Sequence, residues 1–462
     1  MSDIPMQMQI GRDLSLLLPE IATLLTAVAA LVAEMLRRPR WALILSIVGL
    51  LIATGLTLPL LGQETTVFMG TLRVDTLSTW AKLILLPSTA LTILLVWPEV
   101  RGTDREGTVY SLLAFTTLGP LILAGAGDLM FLVLGLLLSS LGSFALVAYP
   151  RDDRATEAAM KYFVFGSVTG AIMIFGLTFW FGATGSTLLA TLGRLQGNSL
   201  AAIAGLIAVL VGLGYKGAIA PFHFWAPDAY DGAPIAVAAF LSVVPKIGAV
   251  FALAQVVGSL PAHVADWPLV VAPLAAVSMT YGNLAALSQT NMVRLLAYSS
   301  IAQAGYFLLA VTAIGQSDLA ISALVVFAAA YAAMNLGAFA IGARISRDLT
   351  AFVGIGRTAP WTGGAMVIFL LSLVGVPPLA GFVGKLLLFG SVIDGGYIWL
   401  AIIGILNSVL SLAVYLRIII PMYQPAQSVP RASRPTAIVW MTAFVFTIGL
   451  GLGAQLLIGR IV

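Results

Sequence analysis

Between Gly212 and Pro234 the chain reads GLGYKGAIAPFHFWAPDAYDGAP. The stretch starts inside an apolar run long enough to span a bilayer. It then brings Lys216, His223, Asp228 and Asp231 into that run, with prolines between them. Hydrocarbon accepts an ionisable side chain only where it faces protein or water, so such a residue marks a functional site by default. A Gly/Pro break at the same depth carries the same message, because unpaired backbone is tolerated only where it lines a cavity.

Two more lysines, Lys246 and Lys385, are embedded in apolar runs. A buried lysine loses hydration of its charged form, so it can take up and release a proton near physiological pH. His223 follows Lys216 by seven residues, which on a continuous helix places both on one face, and imidazole is a natural proton relay. The competing reading of any such lysine is a side chain snorkelling to the interface. That reading suits Lys82 and Lys161, which lie near span ends, better than Lys216 and Lys385, which adjoin helix breaks. For His223 the competing reading is an imidazole satisfied by broken-helix backbone. Asp228 and Asp231 read as structural, capping the next span or edging a polar entrance.

Two motifs familiar from soluble proteins fail on context. Gly212-x-Gly214-x-x-Gly217 matches the dinucleotide fingerprint, but no strand precedes it and it lies within an apolar span. Its small residues suit close helix packing. Gly384–Lys385 resembles the end of a phosphate-binding loop, but the upstream glycine is missing and Leu386 follows.

These residues need membrane-spanning elements to hold them, and the composition supplies them. Of 462 residues 60% are hydrophobic and 9% charged, and mean hydropathy is +1.04. Soluble domains are roughly 25% charged. The chain is therefore expected to be an all-α polytopic membrane protein without a sizeable soluble domain. The net charge of +4 reflects scarce charges, not a basic patch, which argues against nucleic acid. Cys 0 excludes disulfides, thiolate metal sites, iron–sulfur ligation and a cysteine nucleophile. With only His223 and His263, a protein-held haem or zinc is not expected. The N-terminus lacks a cleavable signal, so the first apolar segment is expected to stay as a helix.

About 14 spans of roughly 20 residues each are expected near 16–36, 41–61, 74–97, 108–126, 128–148, 159–183, 199–222, 234–258, 267–288, 293–314, 318–344, 362–393, 398–422 and 435–459. Loops after odd-numbered spans hold Arg37, Arg38, Arg40, Arg101, Arg105, Arg151, Arg154, Lys161, Arg294, Arg344, Arg347, Arg357, Arg431 and Arg434. The opposite side holds Arg12, Arg73, Arg194 and Arg460. By the positive-inside bias both termini face the periplasm and the number of spans is even. Spans 7 and 12 are both interrupted: the second break, 371-LSLVGVPPLAGFVGKLLLFG-390, carries Lys385 just past Pro377–Pro378. Two broken spans five apart match inverted repeats whose broken helices flank a transport site.

The segments PFHFWAPDAYDGAP (221–234), QTNMVRLLAYSSIAQAGY (289–306), GVPPLAGFVGK (375–385) and AAMKYFVFGS (158–167) resemble the N-type antiporter-like membrane subunit of bacterial respiratory complex I, NADH–quinone oxidoreductase. The likeness covers nearly the whole chain. It implies two inverted five-helix repeats with broken helices 7 and 12: helices 1–3 in 1–107, a first repeat in 108–258, a second in 259–422 and a last helix in 423–462. It further implies proton translocation driven by electron transfer in other subunits. Lys216 then matches the central span-7 lysine, Lys246 the connecting lysine, Lys385 the span-12 lysine of the output half-channel, and His223 the histidine after the break. NADH, FMN, iron–sulfur clusters and quinone are expected in other subunits, with no cofactor in this chain. Implied partners are other membrane-arm subunits, including a second antiporter-like one and a small neighbour, together with the lipid of a bacterial inner membrane.

The resemblance has departures. The span-5 glutamate that pairs with the span-7 lysine falls on Leu137, the span-10 histidine on Gln303, and a lysine before Arg294 on Val293. Lys216 is therefore expected to lose its proton more easily, or to have another acid in the glutamate's place. The alternatives are a Na⁺/H⁺ or K⁺/H⁺ antiporter subunit, a membrane-bound hydrogenase subunit, or a structural subunit that no longer pumps.

Overall fold

The computed structural model describes residues 6–425 and 434–461. Arg431 of the charge count lies outside the described residues, as does the Arg434 side chain. The described chain is helical apart from one antiparallel hairpin, β1 (Thr65–Val67) with β2 (Leu72–Val74). The helices are α1 (Met6–Leu16), α2 (Leu18–Met35), α3 (Pro39–Thr57), α4 (Thr76–Val100), α5 (Glu106–Ala124) and α6 (Leu129–Ala148). Then follow α7 (Asp153–Thr184), α8 (Ser199–Lys216), α9 (Trp225–Gly232), α10 (Ile235–Ser259), α11 (Trp267–Leu287) and α12 (Met292–Ala313). The last are α13 (Leu319–Ile345), α14 (Ile355–Thr358), α15 (Pro360–Val374), α16 (Ala380–Asp394), α17 (Ile398–Met422) and α18 (Arg434–Ile461).

Among the described residues 13 helices are long and apolar enough to cross a membrane, and the shorter α15 leads into α16. With α15 and α16 taken as one broken span, the expected fourteen crossings are met. The helix α1 has no counterpart among the expected spans. Several helix starts are written in the sequence as side-chain caps that satisfy orphan backbone N–H groups. Asp75 accepts from Ser78 N (2.8 Å) while the Ser78 hydroxyl accepts from Asp75 N (3.0 Å). Asp128 caps α6, Asp152 caps α7 and Asn291 caps α12.

The most buried elements form the centre: the spanning window of α10 is wholly buried and that of α12 nearly so. Around them α10 packs on α4, α5 and α13, α7 on α8, α11 on α12, and α13 on α16 and α18. Lys246 sits on α10, the most enclosed of these helices, and is itself fully buried.

Both expected breaks are present. α8 ends at Lys216, and residues 217–224 turn before α9. Ala218 there takes φ 54°, and the Ala220–Pro221 bond is cis. α15 ends at Val374, Gly375 takes φ 96°, and α16 starts at Ala380 after the cis Pro377–Pro378 bond. Gly381 allows the two halves to touch, since a Cβ there would lie 1.8 Å from Ser372 O. Gly212 of the set-aside motif lies against Met173, which a Cβ would meet at 2.5 Å. Its use here is close helix packing.

Candidate functional site

Each of the three candidate lysines is buried, and none has a carboxylate partner among the described residues. Their ammonium groups are held by neutral oxygens instead. An ion at membrane depth needs such partners, since removing its hydration costs several kcal/mol.

Lys216 is the last residue of α8 and reaches across to α6 and α7. Its Nζ donates to the Tyr162 hydroxyl at 3.0 Å, to Ser140 Oγ at 3.3 Å and to Ser143 Oγ at 3.4 Å. Tyr162 is fixed from behind: Trp225 of α9 stacks on its ring with centroids 4.1 Å apart and planes 12° apart. The Trp225 indole N–H donates to Tyr215 O at 2.7 Å, and the Tyr215 hydroxyl donates to Tyr162 O at 2.8 Å. The position matched to the missing glutamate, Leu137, is 44% exposed on the outer face of α6. Ser140, three residues on, is the side chain aimed at the lysine. No replacement acid meets Lys216 among the described residues; three hydroxyls hold it instead.

Lys246 donates to both the carbonyl and the hydroxyl oxygen of Ser300 on α12. The Ser300 hydroxyl shares a 2.8 Å hydrogen bond with Tyr331 of α13. Tyr331 donates to Ser242 O at 3.0 Å, and Asn335 Nδ2 donates to Ser242 Oγ at 2.6 Å. Four side chains from three helices therefore form one hydrogen-bonded network that reaches this ammonium through Ser300.

Lys385 points back across the second break. Its Nζ donates to Val374 O at 2.9 Å and to Ser408 Oγ at 3.1 Å, and lies 3.9 Å from the centre of the Tyr306 ring. Val374 ends α15, so the lysine satisfies a carbonyl that the helix leaves orphaned, at the end whose dipole favours a cation. Tyr306 also donates to Gly404 O at 3.0 Å.

Gln303 stands between the last two sites. Its Nε2 donates to Leu373 O at 3.2 Å, one residue before the carbonyl that holds Lys385. It also reaches the Tyr415 hydroxyl at 3.5 Å, which shares a 2.6 Å bond with Ser299. Its Oε1 is buried without a partner among the described residues. Ser300, Gln303 and Tyr306 follow at spacings of three on α12, so one helix carries a partner of Lys246, a partner of Lys385 and the amide between them.

The expectation for His223 changes. Because α8 stops at Lys216, the two side chains do not share a helical face. His223 is buried beside Phe224 and Tyr281 of α11, with ring centroids 4.6 Å from each. Neither ring nitrogen has a hydrogen-bond partner among the described residues, so no described backbone group satisfies it.

Lys82 also departs from expectation. It does not snorkel; it is buried and meets Glu20 of α2 at 2.8 Å. Sequence reasoning missed the pair because Glu20 lies near the start of span 1, far from Lys82 in the chain. Lys161 is half-exposed as expected, but it is paired, with Glu157 at 2.8 Å and Asp228 at 3.1 Å. Asp228 also meets Arg294 at 2.8 Å. Asp231 takes Arg154, Arg347 and the Asn291 amide. Burial and the neighbouring Arg154 pull the Arg347 guanidinium below its ordinary value, and Asp231 pulls it back. Among the described residues no group of three or more His, Cys, Asp or Glu side chains is placed to hold a metal ion.

Residues 126–411 match the family described as NADH:quinone oxidoreductase/Mrp antiporter, transmembrane. The chain is 39% identical over 468 aligned residues to NADH-quinone oxidoreductase subunit N 1 of Streptomyces griseus, covering 99% of both. It is 36% identical to F(420)H(2) dehydrogenase subunit N of Methanosarcina mazei, over 89% of both. A chain in the structure of Thermus thermophilus respiratory complex I with bound aureothin superposes with a TM-score of 0.85 at 32% identity, covering 96% of this chain and 98% of that one. A chain of the Mrp complex from Dietzia, at 22% identity and a TM-score of 0.83, shares the fold.

Proposed function

Because the chain belongs to the NADH:quinone oxidoreductase/Mrp antiporter transmembrane family, we propose that it is a proton-translocating membrane-arm subunit of NADH–quinone oxidoreductase. Electrons pass from NADH to quinone in other subunits, which hold the FMN, iron–sulfur clusters and quinone. This chain moves protons through Lys216, Lys246 and Lys385, with His223 as a relay beside the first break. The observation that carries the reading is three buried lysines held by neutral oxygens, with no carboxylate partner among the described residues. Such a lysine can give up its proton without leaving a bare carboxylate behind, and take it back without breaking an ion pair. The helix α12 supplies the connection from Lys246 to Lys385 through Ser300 and Gln303.

Residues 108–258 then form the first repeat and 259–422 the second, each around one broken helix. The subunit lies in a bacterial inner membrane with both termini periplasmic, a reading supported by the loop charges and the even number of crossings. It contacts a second antiporter-like subunit and a small neighbouring subunit. The likeness to the Methanosarcina subunit favours one second reading, the same proton path driven from a different reduced donor.

The test is Lys385→Ala in the assembled complex, in inverted membrane vesicles supplied with NADH. Protons moved per electron are expected to fall while quinone reduction continues. An unchanged ratio would show that Lys385 carries no protons.

A further inference from the structure

The short helix α9 is clamped by charges on both sides. Asp228 meets Lys161 of α7 at 3.1 Å with one oxygen and Arg294 of α12 at 2.8 Å with the other. Asp231, one turn on, takes Arg154 of α7, while Arg347 beyond α13 meets its carboxylate at 3.6 Å and donates to its carbonyl at 2.8 Å. Glu157 pairs with Lys161, and Glu99 and Asp152 act on Arg347. Lys161 of this cluster immediately precedes Tyr162, the tyrosine that holds Lys216. The stacking partner of Tyr162 is Trp225, the first residue of α9. The same carboxylate therefore fixes α9 against α7, which carries the tyrosine partner of Lys216, and against α12, which carries partners of the other two lysines.

We propose that Asp228 is a positioning residue for Lys216. It holds α9 so that Trp225 braces Tyr162 against the lysine, and ties that brace to α12 through Arg294. The assignment rests on the proton-translocation reading above. It adds that the two halves of the path are joined mechanically through α9, outside the row of lysines. A shift of α12 that loosens Arg294 would release α9, and with it the Trp225–Tyr162 stack. A neutral amide does not replace the carboxylate, because two cations on different helices share its two oxygens.

The test uses the assembled complex in inverted vesicles, with NADH as donor, scoring acidification against quinone reduction. Asp228→Asn is expected to lower acidification per electron at least twofold, and Asp228→Glu to restore most of it. If Asp228 acts through the brace, Asp228→Asn combined with Tyr162→Phe falls no further than the worse single variant. Independent, multiplicative losses would overturn the proposal. So would normal acidification in Asp228→Asn while Lys385→Ala and Tyr162→Phe lower it. If none of the three variants changes acidification, the proton-translocation reading falls, and this assignment falls with it. Should Asp228→Asn not assemble, Lys161→Gln makes the same comparison from a half-exposed side chain. Its loss must also be absorbed by Tyr162→Phe, and a loss that multiplies with it refutes the brace.

Discussion

The Tyr162 hydroxyl lies 3.0 Å from Lys216 Nζ and is the nearest of three hydroxyls that hold it. A hydrogen bond to a charged group contributes about 1.5–3 kcal/mol. Tyr162→Phe is therefore expected to weaken the hold on the ammonium by that amount and to reduce proton transfer, with quinone reduction retained. The same geometry separates two ways of adding an acid. Leu137→Glu puts a carboxylate on the outer face of α6 and is expected to impair assembly without altering the pH dependence of pumping. Ser140→Glu puts it within reach of Lys216 and is expected to change that dependence. Acidification measured across pH in both variants distinguishes them.

The buried pair Lys82–Glu20 joins α2 to α4 at 2.8 Å, and neither group makes a further hydrogen bond among the described residues. Removing one partner of a buried pair leaves an uncompensated charge and costs about 3–5 kcal/mol, whereas replacing both by apolar groups is often neutral or stabilising. Glu20→Leu or Lys82→Met alone is expected to lower the thermal stability of the complex. The double variant is expected to recover most of it. A thermal inactivation series on the three complexes measures the coupling, and additive losses would contradict the ion pair.

What the sequence made legible was whatever depends on the bilayer. Hydrocarbon forbids unpaired charge and backbone, so the spans, both breaks and the three lysines stood out from composition and spacing. Partners were not legible, because they come from helices far apart in the chain. Ser140 and Tyr162 around Lys216, and Ser300 and Tyr331 around Lys246, are ordinary residues until packing brings them together. Matching Leu137 to an absent glutamate directed attention to a side chain on the outer face of α6. The expectation that His223 shares a helical face with Lys216 failed for a related reason: a helical period cannot be carried across a helix break.

The second break depends on the closeness of Gly381 to Ser372. A methyl group at Gly381 would sit 1.8 Å from Ser372 O, against backbone that cannot give way. Gly381→Ala is expected to force α15 and α16 apart, a cost of about 1–3 kcal/mol or more, and to disturb Lys385, which bridges them. Gly364→Ala faces open space and is the matched control. Assembly and acidification of the two variants should differ sharply; equal behaviour would mean that the break tolerates a wider gap.

Gln303 occupies the junction between Lys246 and Lys385, where it donates to Leu373 O and its buried Oε1 has no partner among the described residues. An amide does not titrate, so this junction adds no charge of its own between the two ammonium sites. Gln303→Leu removes the hydrogen bond to Leu373 O and is expected to lower pumping several-fold, with quinone reduction less affected. Gln303→His keeps a polar side chain and is expected to retain most of the pumping at pH 8, where the ring is neutral. Acidification per electron at pH 8 for the two variants decides the matter. Normal pumping in Gln303→Leu would place the proton path elsewhere than along α12.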